Sequence, residues 1–268
     1  MGRLTFVRRV RPDDKLTIVE HLDELRRRIF VSIAALVVAF GVMFAFHQDL
    51  LHWLQRPLPD DQILVTLAVS EAFFTVVKVS AYAALVVALP IWLYQFYAYI
   101  IPAVGEQPRR KMLLVVAAIS ALFFVGAAFG YFLVLPIALE WLQSFGDDLF
   151  ATQLRAQDYY SFVSMFVLAS GLMFELPVAM MGLAMLGVVK AGSFIRQWRI
   201  AVVAIAVVAA ALPGGDPFSM MLLMAPQLLL YAIGIWLAKT FGRDAPWDRT
   251  DDETGTAGGS SPPATPVQ

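Results

Sequence analysis

The sequence predicts an all-α integral membrane protein: six transmembrane helices, both termini cytoplasmic, and a short cytoplasmic amphipathic helix ahead of the first span. Three observations lead there. Of 268 residues, 59% are hydrophobic and only 15% charged, with mean hydropathy +0.70. A water-soluble globule of this size cannot bury that much apolar side chain. The apolar residues gather into six runs. Lys and Arg fall almost entirely on alternate connections between those runs.

The runs are roughly Ile29–Phe46, Phe73–Ile101, Met112–Leu142, Phe162–Val189, Ile200–Leu212 and Phe218–Ala238. Crossing a ~30 Å hydrocarbon core takes about 20 helical residues. The first run suffices, and the next three are long enough to tilt or project. The fifth covers only about 20 Å at ~1.5 Å per residue, and Pro213-Gly214-Gly215-Asp216-Pro217 forbids its extension. Either the bilayer thins beside it or neighbouring helices bury its ends. The first run follows Arg26-Arg27-Arg28 as a signal peptide would. No small-residue cleavage site follows Phe46-His47-Gln48-Asp49, however, and further spans do, so it is read as an uncleaved span.

Segment 1–28, the connections 102–111 and 190–199, and the tail 239–268 hold 17 of the 20 Lys and Arg. The alternate connections hold 2, Arg56 and Arg155, and Lys78 lies inside the second run. The positive-inside rule then puts both termini in the cytoplasm. This divides the chain into a cytoplasmic segment at 1–28, a six-span membrane domain at 29–238, and a tail at 239–268. The tail is rich in Asp, Gly, Ser, Pro and Thr, with too little apolar content to fold.

Ahead of the first span, Thr17 followed by Glu20 forms a capping box. Ile18, Leu22, Leu25 and Ile29 then fall at helical spacing on one apolar face. Glu20 and Glu24 lie a turn apart on another face, with Arg27 and Arg28 a further turn along. Two readings stand. One is an interfacial helix whose acids form i,i+4 pairs; the other is an acidic patch for a cationic ligand.

Several function classes are excluded or unsupported. Without cysteine there is no disulfide framework, thiolate metal site or thiol catalysis. A net charge of −1 offers no electrostatic case for nucleic acid. Walker, zincin and nucleophile-elbow motifs are absent, and no cofactor, metal or enzymatic activity is expected. His21, His47 and His52 do not form a metal site by spacing. The run Trp92, Tyr94, Phe96, Tyr97, Tyr99 reads as an interfacial aromatic belt.

His21-Leu22-Asp23-Glu24-Leu25-Arg26-Arg27-Arg28 resembles the H-L-x-E-L-R-x-R signature of TatC, the polytopic subunit of the twin-arginine protein translocase. Five further segments are similar to that family in order: Arg56-Pro57-Leu58, Ser70-Glu71-Ala72-Phe73-Phe74 through Lys78, Tyr99-Ile100-Ile101-Pro102-Ala103 with Arg109-Arg110, Phe174-Glu175-Leu176-Pro177, and Asp216-Pro217-Phe218-Ser219. The resemblance spans about residues 17–240. It implies a core and signal-peptide receptor subunit that exports folded proteins across a bacterial cytoplasmic membrane on the proton motive force. It implies as partners twin-arginine signal peptides, single-span TatA- and TatB-like subunits, further copies of the chain and the lipid bilayer. Glu24, with Glu106, Glu20 and Arg26, is expected to bind the signal peptide. His21, Leu25, Pro57, Pro102 and Asp216 are expected to serve the motif structurally. Two positions depart from the family. Pro108 stands where a Glu usually precedes the loop's basic pair, with Glu106 two residues earlier. Tyr231-Ala232 lacks the Glu that often follows Leu-Tyr in the last span.

The chemistry fits this reading, since adjacent guanidiniums suit carboxylates at the cytoplasmic face. Glu175, inside the fourth run, is the other candidate group, because an ionised acid at that depth costs at least ~2.5 kcal/mol. Pro177 removes a backbone donor and frees the carbonyl of Met173, and Gln227, beside Pro226, is a potential partner from the last run. Glu175 is either a buried neutral link between helices or part of a wet pocket for a partner's transmembrane helix or an inserted signal peptide. The alternative function is a small-solute or ion transporter coupling through Glu175 and Lys78. No related halves are visible to support it.

Overall fold

A computed structural model of the chain describes residues 18–59, 62–104, 109–144, 153–210 and 217–242. Among them the regular elements are all helical: α1 (Ile18–Ala45), α2 (His47–Gln55), α3 (Glu71–Val104), α4 (Arg109–Phe129), a π-turn (Gly130–Val134), α5 (Leu135–Ser144), α6 (Ala156–Phe174), α7 (Leu176–Met185), α8 (Ala191–Arg196), α9 (Trp198–Ala210) and α10 (Pro217–Phe241). Among the described residues, five stretches are long and apolar enough to cross a membrane: His21–Ala45, Glu71–Tyr99, Met112–Ser144, Ala156–Met185 and Pro217–Phe241. The fifth expected span, α9, is apolar but has only 13 residues. It falls below that length, as its run in the sequence does. Asp216 lies outside the described residues, and Pro217 opens α10, where its missing N–H has no helical partner to lose.

The separate amphipathic helix expected before the first span is corrected. Helix α1 runs unbroken from Ile18 into the apolar stretch. Nothing between Leu22 and Ile29 breaks a helix, and Leu, Glu and Arg are good helix formers. Thr17, the expected cap, lies outside the described residues.

Helix α1 lies along α3. Helix α3 also packs on α4 and α6, α4 packs on α6, and α10 joins α7 to α9. The side chains Val79 of α3, Phe123 of α4, and Val163 and Phe166 of α6 are fully buried in this group, as is Leu135 at the start of α5. Helix α4 and the π-turn that follows it approach α6 through small residues. The Ser170 side chain occupies the place a Cβ on Gly130 would take, and a Cβ on Gly171 would fall 2.6 Å from Phe123. Where both surroundings are apolar, such close backbone approach is what holds helices together. Gly130→Leu should therefore destabilise the purified protein by about 1–3 kcal/mol. Gly41→Leu, whose Cβ meets nothing within 4 Å, should melt with the parent. Equal melting of the two variants would show that the α4–α6 contact is not close-packed.

Helix α2 covers one end of this group. Its last carbonyls, which a helix leaves unpaired, accept tyrosine hydroxyls: Tyr131 donates to the carbonyl of Trp53, and Tyr159 to that of Leu54 at 2.9 Å. The Tyr160 hydroxyl lies 3.4 Å from Gln55 Oε1. Pro57 follows in the turn after α2, and Leu58 beside it is buried.

Candidate functional site

At the end of the molecule opposite α2, the start of α1 passes the end of α3. Three contacts set the register. The His21 ring stacks on Tyr99 at 4.4 Å, Arg28 Nη1 donates to Gln95 Oε1 at 3.2 Å, and Trp92 Nε1 donates to the Ser32 carbonyl at 3.0 Å. Residues 21, 28 and 32 share a face at helical spacing, and so do 99, 95 and 92. Two residues of the expected aromatic belt, Trp92 and Tyr99, therefore pack between helices, whereas Phe96 is exposed.

Glu24 sits in the middle of this face. Its Oε1 accepts from Arg28 Nε at 3.0 Å and, more closely, from Arg28 Nη2. Arg28 Nη1 also reaches the Gln95 carbonyl, at 3.5 Å. Among the described residues no hydrogen bond falls on Glu24 Oε2. The Glu24 and Arg28 side chains keep 27% and 21% of their surface exposed, enough to meet a ligand from solution. Arg26 is exposed, with its guanidinium 5.8 Å above the Phe30 ring. Glu20 and Pro102 lie within α1 and α3, but their side chains are outside the described residues, as is the whole of Glu106.

The apolar residues of this segment do not pack on α3 as one stripe. Leu22 and Ile29 are exposed, at 58% and 49%, while His21, Glu24, Leu25 and Arg28 turn toward α3. The physical reason is the solvent. Beside hydrocarbon, apolar side chains lose nothing by facing out, and polar ones gain by finding partners inside.

The second candidate lies where α6 gives way to α7. The chain breaks its helix at Glu175: the Glu175 N–H turns back to the Leu172 carbonyl at 3.1 Å, and α7 opens on Leu176-Pro177. Pro177 cannot donate to Met173, and Gln227 Nε2 of α10 supplies a donor to that carbonyl at 3.4 Å. Gly234 lets α10 approach, since a Cβ there would fall 3.1 Å from the Pro177 Cα. Glu175 Oε1 is buried and has no hydrogen-bond partner among the described residues. A shallow crevice beside the break is lined by Ser170, Met173, Phe174, Pro226, Gln227 and Leu230, among others. Its lining is mostly apolar, and Glu175 is not part of it. The span begins at Ala156 rather than Phe162, so Glu175 stands ~28 Å along it, past the middle. Lys78 is exposed on α3 and forms no ion pair among the described residues, so it is not brought to Glu175.

The family model for TatC, the Sec-independent protein translocase protein, matches residues 20–226. That decides the family. This chain belongs to the TatC family. It is 39% identical over 236 residues to the chloroplastic TATC of Arabidopsis thaliana, spanning 87% of this chain and 69% of that protein. It is 35% identical to the TatC of Synechocystis sp., spanning 87% of this chain and 92% of that one. A crystal structure of the twin arginine translocase receptor TatC superposes with TM-score 0.76 at 33% identity, covering 84% of this chain and all of that one. TatC proteins are non-enzymatic, multi-pass components of a protein translocase, and this chain is one of them.

Glu24 forms with Arg28 the i,i+4 pair that one of the two readings gave this helix. Reasoning on the sequence missed two groups. Gln95 was not tied to Arg28, because that contact needs α1 and α3 side by side. Glu71, quoted only as part of a TatC-like segment, is a polar anchor. Its Oε1 accepts from Arg155 Nε at 3.0 Å and lies 3.4 Å from the Gln157 N–H. Its Oε2 accepts from Leu67 N–H at 2.9 Å and Ala68 N–H at 3.3 Å. The same charge holds the Arg155 guanidinium further toward its protonated form. A signal existed in the sequence: Arg155 is the single Lys or Arg on its connection.

Proposed function

We propose that this chain is the core and signal-peptide receptor subunit of a twin-arginine translocase. It carries folded precursors across a bacterial cytoplasmic membrane on the proton motive force, together with single-span TatA- and TatB-like subunits and further copies of itself. Both termini lie in the cytoplasm and α9 serves as the short fifth of six spans, a reading supported by the 17-to-2 division of Lys and Arg. Segment 1–28 and the tail from 239 flank the membrane domain on that side. The observation that carries the receptor role is Glu24, a partly exposed carboxylate whose second oxygen accepts no hydrogen bond among the described residues, at the end of the molecule where Lys and Arg gather. Glu24, assisted by Glu106 and Glu20, receives an arginine of the signal peptide; Glu175 and Gln227 form the intramembrane site for a partner helix or the inserted signal peptide.

Crosslinking a twin-arginine precursor to probes placed along 17–28 and 99–111 tests the receptor role. Glu24→Ala should weaken binding about ten-fold or more, the loss of a charged hydrogen bond of about 1.5–3 kcal/mol. Protein level should be unchanged. Pro108→Glu, which restores the family's usual acid, should strengthen it. Undiminished crosslinking in both Glu24→Ala and Glu106→Ala would move the receptor surface elsewhere.

A further inference from the structure

The connection that Glu71 ties down presents an apolar surface that the rest of the chain leaves uncovered. Every residue from Thr66 to Ser70 is exposed, and so are Ala72, Phe73 and Phe74 at the start of α3. Ile63, Leu67 and Val69 face outward with the two phenylalanines, Leu67 at 73% and Val69 completely. Over residues 62–77 the sole ionisable side chain is Glu71, and it is buried. We propose that segment 62–70 is an interfacial anchor, seated among the headgroups and upper acyl chains of the leaflet at the α2 end of the molecule. In the orientation proposed above, this is the extracytoplasmic leaflet.

Three observations favour lipid as the occupant. At the same end of the molecule the exposed positions of α2 are Gln48, Asp49 and His52. Where this chain faces water there, it places polar side chains. The apolar patch, by contrast, is continuous with Phe73 and Phe74, which belong to the membrane-spanning stretch Glu71–Tyr99. Aromatic residues at the end of a span sit at the level of the headgroups. The third observation concerns the backbone. Bare N–H groups keep irregular segments out of a bilayer. Here the Val65 N–H is taken by the Leu154 carbonyl at 2.9 Å, and those of Leu67 and Ala68 by Glu71 Oε2. Glu71 thus turns two donors inward while the side chains that carry them turn out.

Lys78 gives the depth independently. It is exposed on α3, one turn further into the span than Phe74. Side chains on a helix lean toward its N-terminus, so the Lys78 stem runs back past Phe74 toward the start of α3. Its ammonium reaches a polar zone if that zone begins near Phe74. Leu67 and Ala68, bonded to the side chain that opens α3, then stand about 5 Å further out. A headgroup zone is about 5–8 Å deep on each side of the hydrocarbon, so the patch falls inside it. The level at which Lys78 meets phosphate is therefore the level at which the apolar patch meets lipid.

The chain has no cysteine, so single nitroxide labels can be placed on the full chain in nanodiscs of phosphatidylethanolamine and phosphatidylglycerol. Labels go on Leu67→Cys and Val69→Cys, with His52→Cys as the water-facing reference and Phe74→Cys as the lipid-facing one. The readout is how often each label collides with oxygen, which concentrates among acyl chains, and with a neutral nickel complex, which stays in water. Labels at 67 and 69 should meet nickel about five-fold less often than the label at 52, as expected for a segment seated in the interface. They should meet oxygen about as often as the label at 74. Nickel collision at 67 and 69 equal to that at 52 overturns the inference, because the patch then stands clear of the membrane. Low collision with both reagents overturns it as well, since the patch is then covered by a second copy of the chain. Should Leu67→Cys fail to fold, Val69→Cys decides alone: its side chain is wholly exposed, and replacing it removes no packing.

Discussion

Replacing Glu71 by Gln should lower the stability of the purified protein by about 3 kcal/mol, more than the other substitutions considered. The Glu71 side chain is 1% exposed, and each carboxylate oxygen lies within hydrogen-bonding distance of two donors, three backbone N–H groups and the Arg155 guanidinium. An amide keeps one oxygen but turns the other into a donor facing donors. Either Arg155 and Gln157 or Leu67 and Ala68 lose their acceptor. The damage should be local, because these donors join segment 62–70 to the start of α6. The same seam carries the Val65–Arg155 bridge, with Val65 N–H bonded to the Leu154 carbonyl at 2.9 Å and Ala156 N–H to the Val65 carbonyl at 2.8 Å. Arg155→Lys should lie between parent and Glu71→Gln, since an ammonium keeps the charge without the fixed fork. A double-mutant cycle with Arg155→Leu should show coupling, as residues in contact do. Signal-peptide binding at Glu24, at the opposite end, should be untouched. Melting of Glu71→Gln at the parental temperature would mean that the seam is held by packing alone.

The helices were legible in the sequence because a membrane imposes length and apolarity on each span, and Pro177 with Met173 announced a defect that some donor had to fill. Gln227 fills it. What stayed hidden depends on which way side chains point. The apolar stripe Ile18, Leu22, Leu25, Ile29 does not state what it faces. In the structure Leu22 and Ile29 point outward, and Leu25 turns toward α3 with His21, Glu24 and Arg28. The pairing of Glu71 with Arg155, 84 residues apart, needs α3 and α6 to be neighbours, which no local pattern states. Loop acid Glu106 lies outside the described residues, so the second half of the expected receptor surface rests on the sequence.

Glu175→Leu should reduce export at least ten-fold while leaving signal-peptide binding at the Glu24 end intact. Glu175 stands inside a span, at the one residue where α6 yields to α7. A carboxyl group in that setting costs at least ~2.5 kcal/mol if ionised, and its buried Oε1 has no partner among the described residues. The neighbouring defect is already mended by Gln227, which means Glu175 is not needed to satisfy Met173. A group retained at such a cost, with an acceptor oxygen to spare, is placed to receive a donor from another molecule. Glu175→Gln keeps one acceptor oxygen and removes the ionisable proton, whereas Glu175→Leu removes both. Normal export by the Gln variant with failure of the Leu variant would assign the role to hydrogen bonding. Failure of both, with assembly intact, would assign it to the proton. Gln227→Leu supplies the comparison: it reopens the Met173 carbonyl and should destabilise α7 against α10 by about 1–3 kcal/mol, a loss of stability that Glu175→Leu should not share. If Glu175→Leu exports at the parental rate, the acid is a structural remnant and the intramembrane site lies elsewhere.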